Sequence, residues 1–395
     1  MHIASKAQKI IVAIDSFKGC LTSKEANQAA ADGIRSILSE RLREGVPAGM
    51  AEVVQVPVSD GGEGFLDAFH AAIGGEQIEV TVRDPLMRPI SAKYLLRDQL
   101  AVIEIAQASG LTLLTNEERN PMVATSYGTG QLVADAVRKG AKHIIVGLGG
   151  SATSDAGIGM LRALKDTFAK NGTWDDIEAL KQVRFTIASD VKNPLCGENG
   201  AAHVFAPQKF AIEREESEHV QTSECEQTRP KVKGATKEMI QQLDERARKF
   251  AEISAKHFGY DRSEAAGAGA AGGLGYAFLQ YLNAECKPGI ELLLDTINFS
   301  EIIKDAALII TGEGSADRQT LMGKLPTGIL QQSGDVPVCL IAGRISDKEE
   351  LLKAGFAHVE CINPKGITLE ETMRKEVTTR NISDTVRRLL DINSL

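Results

Sequence analysis

Apolar residues in this chain form short unbroken runs separated by longer stretches with helical spacing. KIIVAI (9–14) is apolar throughout, which predicts a strand buried on both faces. Asp15, Ser16, Phe17, Lys18 and Gly19 follow it. Thr22 and Glu25 then stand three apart as a capping box, ahead of an apolar face at Ala26, Ala29, Ala30, Gly33, Ile34 and Ile37. The unit repeats at AEVVQVPVS (51–59), SDGGEG (59–64) and a helix carrying Phe65, Leu66, Ala68, Phe69 and Ala72. Between 76 and 110 the pattern changes to alternating strands with turns at Asp84-Pro85 and Arg97-Asp98, an antiparallel signature.

Strand-to-loop texture returns downstream. A helix over about 130–139 precedes IIVGLGGSATSDAGIGM (144–160), where a buried-strand run ends in glycines, hydroxyls and Asp155. FTIASDVKNP (185–194) ends its apolar run at Ser189 and Asp190, and Asn193-Pro194 disfavours a helix there. AALIITGEGSAD (306–317) passes from strand into Gly312, Glu313, Gly314 and Asp317, with Thr320, Gly323 and Lys324 before another helix. PVCLIAG (337–343) is a further strand with Arg344 at its end. Residues 213–234 are polar and poor in apolar groups, which predicts an exposed loop.

These textures predict an α/β protein of two domains. Residues 1–80 plus 287–395 form a discontinuous Rossmann-like or flavodoxin-like parallel-sheet domain, and 81–286 an inserted mixed α/β domain, with an active-site cleft between them. A length of 395 residues suits two domains. The 43% hydrophobic fraction supports real cores, and the 5% aromatic fraction argues against base-stacking platforms. With 45 Lys plus Arg against 53 Asp plus Glu, the net charge of -8 argues against a general nucleic-acid binder. Six cysteines without paired zinc-ligand spacing read as reduced thiols of a cytoplasmic protein. No apolar run approaches the roughly 18 residues of a membrane span, and the N-terminal stretch lacks a secretory pattern.

The candidate chemistry sits where strands end, as ligand sites in open α/β sheets do. Lys18 reads equally as a solvated loop lysine, and Asp60 equally as a helix cap. Asp60 and Glu63, flanking Gly61 and Gly62, suit a sugar-like hydroxyl or a hydrated cation. Ser126 to Gly130 precede a helix whose amino end suits an anion, with a simple cap as the alternative. The start of a helix near 151–160 suits phosphate oxygens, with Asp155 beside a magnesium ion. Ser151, Thr153 and Ser154 can equally close local turns. Cys196 has no histidine at base spacing and reads as an inert thiol. The literal G-x-G-x-x-G at Gly267, Gly269 and Gly272 follows no strand, so it predicts a tight glycine–alanine helix packed on the site rather than a dinucleotide fingerprint. Gly323-Lys324 lacks the rest of a P-loop.

Taken together and in order, IDSFKG (14–19), SDGGEG (59–64), GGSATSDAG (149–157), SDVKNPLCG (189–197), GAGAAGGLG (267–275) and TGEGSADRQTLMGKLPTG (311–328) resemble the type I glycerate kinase family over nearly the whole chain. Ser154, Ala156, Phe210 and the length of 213–234 depart from its usual pattern. The resemblance implies transfer of phosphate from ATP, with Mg2+, to D-glycerate, commonly at O2, and small-molecule partners only. Within it, Asp190 is the candidate base and Lys18 the candidate electrostatic catalyst. Asp15, Ser16, Asp60, Glu63, Asn193 and Arg344 are candidates for substrate. Gly149, Gly150, Ser151, Thr153, Gly312, Glu313 and Lys324 are candidates for the nucleotide, and Asp155 and Asp317 for the metal. Another acceptor oxygen or hydroxy acid, a dehydrogenase and an anion sensor are the competing readings.

Overall fold

A computed structural model describes residues 8–17, 19–43, 51–59, 64–210 and 236–392. The expected loop at 213–234 therefore lies outside the described residues, as do Lys18, Asp60 and Glu63. In chain order the first strands are β1 (Gln8–Ile14), β2 (Ala51–Gln55), β3 (Glu76–Arg83), β4 (Pro89–Arg97), β5 (Leu100–Glu104) and β6 (His143–Gly147). They are followed by β7 (Arg184–Ala188), β8 (Glu285–Lys287), β9 (Ala306–Ala316), β10 (Val338–Ile345) and β11 (His358–Cys361). The chain divides into two compact units, Met1–Gly74 with Pro288–Leu395, and Gly75–Lys287.

In the first unit, five parallel strands are ordered β11-β10-β9-β1-β2. Renumbered within the unit, this is the 2-1-3-4-5 order of doubly wound sheets, so the order reverses between β1 and β9. Ile10, Val12 and Ile14 of β1 and Leu308 and Ile310 of β9 are buried with Ala26, Ala30 and Ile34 of the Ser23–Arg43 helix. The expected capping box is present. The Thr22 N–H donates to Glu25 Oε2 at 2.8 Å and the Glu25 N–H to Thr22 Oγ1 at 3.2 Å. Asn27, fully buried, then ties the helix to the strand end by donating to the Ile14 carbonyl at 2.8 Å. Where the apolar run predicted a strand to 59, β2 stops at Gln55. Val56 N–H makes one more bond to the Val12 carbonyl at 2.8 Å, and Pro57 has no N–H to continue the ladder.

In the second unit, the sheet is mixed, in the order β3-β4-β5-β6-β7-β8. β3, β4 and β5 pair antiparallel and β5 to β8 pair parallel. The antiparallel segment begins at Glu76, where the alternating pattern begins. The parallel strands end at Glu104, Gly147, Ala188 and Lys287, delivering the loops after 104, 147 and 188 to one rim. The helices Tyr127–Arg138 and Ile158–Phe168 cover the face that carries Ile103, Ile144, Val146, Phe185 and Ile187.

Candidate active site

The rim of the first unit carries seven of the expected residues, around its topological switch point. The Asp15 N–H donates to the Gly312 carbonyl at 2.9 Å, and the Ser16 N–H to Asp15 Oδ1 at 2.7 Å. In register, Ile14 faces Gly312, Ala342 faces Glu313, and Arg344 faces Ser315, so the ends of β1, β9 and β10 lie side by side. Asp15 and Ser16 are half-buried, Arg344 is exposed, and Glu313 is buried at 8% exposure. A Cβ on Gly312 would meet the Ile341 carbonyl oxygen at 2.5 Å, so glycine is required for this close strand packing. Thr320 donates to Glu313 Oε1 at 2.6 Å, and Asp317 Oδ1 accepts from the Gln319 N–H at 2.8 Å. Lys324 caps the Leu325–Gln332 helix with its carbonyl, which accepts from Thr327 N–H at 3.0 Å.

In the second unit the loop after β6 folds differently from the expected phosphate cradle. Asp155 Oδ2 accepts from Ser126 N–H at 2.8 Å, Ser126 Oγ at 2.9 Å, Gly159 N–H at 3.1 Å and Thr125 Oγ1 at 3.3 Å. Its Oδ1 accepts from Gly157 N–H at 3.0 Å. Four of the five donors crowd Oδ2 and one takes Oδ1, out of about four lone-pair sites on a carboxylate. Asp155 thus anchors the starts of two helices to each other, with an Oδ1 lone-pair site left for any other ligand. The same bonds close the amino end of the Ile158–Phe168 helix. The Gly157 and Gly159 N–H groups go to the Asp155 carboxylate, Ile158 N–H to the Asp155 carbonyl, and Met160 N–H to Ser126 Oγ. Those are the donors that a phosphate at a helix start would need.

Ser151 and Thr153 are buried. Their hydroxyls lie 3.2 Å apart, and Ser151 Oγ also accepts from Thr153 N–H at 3.2 Å. They close the local turn, the blander of the two readings their spacing allowed. What the loop leaves at the rim is Gly149, half-buried, and Gly150, exposed with φ 71°.

Asp190 stands exposed in the loop after β7, within the electrostatic reach of Cys286. Burial first, and then the Asp190 charge, push the Cys286 thiol upward. Asn193 reaches across its loop to donate to the Asn199 carbonyl at 2.8 Å, a bond that stiffens the segment. Burial, and then Asp244, push the Cys196 thiol up to about 12, which fits an inert thiol.

The glycine-rich segment packs against both loops, as expected, but its first part is not a regular helix. Ala271, Gly272 and Gly273 take φ values of 54°, 69° and 89°, so the Ala270–Tyr281 element is kinked there. A Cβ on Gly272 would sit 1.9 Å from the Thr153 carbonyl oxygen, and one on Gly269 2.3 Å from that of Pro194. The sequence thus lacks the strand-turn-helix setting of a dinucleotide site in structure as well as in pattern.

Among the described residues, no group of three or more His, Cys, Asp or Glu side chains is arranged to hold a metal ion. Mg2+ commonly keeps several waters and takes only one or two protein carboxylates beside phosphate oxygens. Of the two expected ligands, Asp317 fits that sparse demand, since among the described residues its carboxylate is engaged through Oδ1 by Gln319. Also among the described residues, no helix is long and apolar enough to cross a membrane. Sequence reasoning missed Thr320 as a junction, and Asn27 and Ser126 as anchors. Thr320 lies three residues after Asp317, the spacing at which a hydroxyl meets a loop N–H, and that was the available signal.

Comparisons with known proteins agree with this architecture. The sequence model of the Glycerate kinase family matches residues 10–223 and 230–393. A glycerate kinase of Bacillus subtilis (strain 168) is 36% identical over 407 aligned positions, covering 96% of this chain and 98% of that protein. A glycerate 2-kinase of Escherichia coli (strain K12) is 38% identical, covering 86% of each. The crystal structure of putative glycerate kinase 2 from Salmonella typhimurium LT2 superposes with a TM-score of 0.76 at 32% identity, covering 98% of this chain and 99% of that one. With its sequence and its fold matched over almost their full length, the chain belongs to the glycerate kinase family and is a phosphotransferase.

Proposed function

We propose that the chain transfers the γ-phosphoryl group of ATP to O2 of D-glycerate, giving 2-phospho-D-glycerate and ADP. The observation that supports this reading is the switch-point rim, where Asp15, Ser16, Glu313, Asp317 and Arg344 lie on or just after the carboxyl-terminal parts of the neighbouring strands β1, β9 and β10. Acids, hydroxyls and one guanidinium suit a small hydroxy acid and a phosphate better than an apolar ligand. The name of the E. coli relative supports O2 as the acceptor.

Phosphoryl transfer requires little covalent chemistry from the protein, so positioning and charge neutralisation dominate. Arg344 is exposed at the end of β10, where a guanidinium pairs with the glycerate carboxylate in a planar, two-bond fashion. Asp190 accepts the proton of the attacking hydroxyl or orients it, from a loop stiffened by Asn193. Gly149 and Gly150 offer backbone to the nucleotide phosphates, and Gly312, Glu313 and Lys324 serve the nucleotide from the rim of the first unit. Asp317 is the residue that would hold Mg2+, which when bound neutralises phosphate charge. Lys18, Asp60 and Glu63, outside the described residues, keep the roles that the family resemblance implies: Lys18 to neutralise the transferring phosphoryl group or the substrate carboxylate, and the two acids to contact a substrate hydroxyl or magnesium-bound water.

Product NMR after incubation with ATP, Mg2+ and D-glycerate tests activity and regiochemistry together. A phosphorus resonance coupled to the C2 proton is the expected result. Coupling to the C3 protons would make the enzyme a 3-kinase, and ATP left intact would remove the reading.

A further inference from the structure

Thr320 is fully buried, yet its hydroxyl lies between two acidic residues of the rim. It donates to Glu313 Oε1 at 2.6 Å and accepts from Asp317 N–H at 3.0 Å. Its own N–H donates to the Asp317 carbonyl at 3.0 Å, and its carbonyl accepts from Thr327 Oγ1 at 2.6 Å. Thr327 belongs to the Leu325–Gln332 helix, so these bonds join that helix, the 317–320 turn and β9 at one residue, through its backbone as well as its hydroxyl.

A threonine hydroxyl has one proton. Once that proton is committed to Glu313, the hydroxyl direction is set and a lone pair faces the Asp317 N–H. The bond to the carboxylate is charge-assisted, and at 8% exposure water does not readily replace it. Thr311, also buried, is a useful contrast. Its hydroxyl donates to the Ala13 carbonyl at 2.8 Å, a bond that serves the sheet alone. Thr320 instead commits its proton to a carboxylate at the switch point and orders the turn that carries the second acid.

We propose that Thr320 is a positioning residue for phosphoryl transfer, holding the Glu313 carboxylate and the Asp317 turn in their working geometry while touching neither substrate. The inference rests on the reading of this rim as a phosphoryl-transfer site. A misplacement of about 1 Å in such a site can cost roughly 100-fold in rate, so a hidden hydroxyl can matter as much as an exposed acid.

The test compares T320V, T320S, E313Q and the T320V/E313Q double variant by ATP turnover with D-glycerate and Mg2+, alongside thermal unfolding. T320V, nearly isosteric but without the proton, is expected to lose roughly 100-fold in kcat with KM values changed by only about threefold. T320S restores the proton and is expected to recover most of the rate. The double variant is expected to lose clearly less than the product of the two single losses, because Thr320 acts in large part through Glu313. Should T320V be insoluble, Thr320→Ala removes the same proton with less bulk and takes its place. Full kcat in the folded variant with only a lowered Tm, or additive losses in the double variant, overturns the inference. Wild-type protein that does not consume ATP with glycerate overturns the functional reading and this inference together. An active wild type beside an equally active T320V overturns this inference alone.

Discussion

Replacing Asp155 separates its anchoring role from the metal role that its place in the sequence suggests. Alanine there removes one acceptor group from five donors, three of them backbone N–H groups of Ser126, Gly157 and Gly159. Each hydrogen bond to a charged group contributes about 1.5–3 kcal/mol in isolation, but the five share one side chain and are not additive. The site is half-buried, so water recovers some of the donors, and a net loss of about 3–5 kcal/mol follows. For a unit of this size that corresponds to a fall in Tm of about 6–20 °C. An asparagine side chain would keep one acceptor oxygen, so Asp155→Asn is expected to fall between wild type and Asp155→Ala. Differential scanning calorimetry reads the order. In parallel, the Mg2+ concentration for half-maximal rate in folded Asp155→Asn should stay within about twofold of wild type. Unchanged melting in both variants, with a Mg2+ requirement raised about tenfold or more, would refute the anchoring argument and restore the metal role.

Three further outcomes are expected. Asp190→Asn should lower kcat by about 100-fold or more with an unaltered melting curve, because Asp190 is exposed and a general base contributes in that range; near-normal kcat would remove it as the base. Gly272→Ala should destabilise the protein by more than about 3 kcal/mol, read as loss of soluble protein or a large drop in urea midpoint. Its φ of 69° is tolerable for alanine only with strain, and the Thr153 carbonyl oxygen occupies the space a Cβ needs. Glu25 is held at about 2, below its ordinary 4.5, first by the Thr22 N–H and then by Lys375. Its folded value is depressed, so its contribution is full above about pH 4.5 and fades as pH falls toward 2. Exposure keeps the effect small. Urea midpoints of wild type and Glu25→Gln should therefore converge on acidification, and a constant gap across that window would contradict the linkage.

The local chemistry of this chain was legible from its residues. Thr22 and Glu25 announced the capping box, and the unbroken run 9–14 announced a two-sided buried strand, because both depend on neighbours a few positions apart. Asp15 was correctly placed just past the end of β1, whereas β9 and β10 run on through Glu313 and Arg344 to Ala316 and Ile345. The anchoring role of Asp155 was missed for the same reason that these features were found. A glycine- and hydroxyl-rich turn before a helix looks alike whether its donors face a phosphate or a nearby carboxylate. Thr125 and Ser126, which decide the matter, lie about 30 positions upstream. Likewise Gly267, Gly269 and Gly272 fit a spacing motif, while the backbone oxygens of Thr153 and Pro194 that dictate glycine there come from other loops.

The sequence by itself determined the α/β class, the change from parallel to antiparallel pattern near 76, and the order of glycine-rich strand ends along the chain. These follow from periodicity and turn chemistry, which are short-range. Only the tertiary structure decided that β9 lies beside β1, which sets the switch point and brings Asp15 next to Gly312. Only it showed that a carboxylate from the most conspicuous glycine loop holds the starts of two helices together. Strand order and hydrogen-bond saturation depend on groups close in space and distant in sequence, and no local pattern encodes which of the available partners a donor will choose.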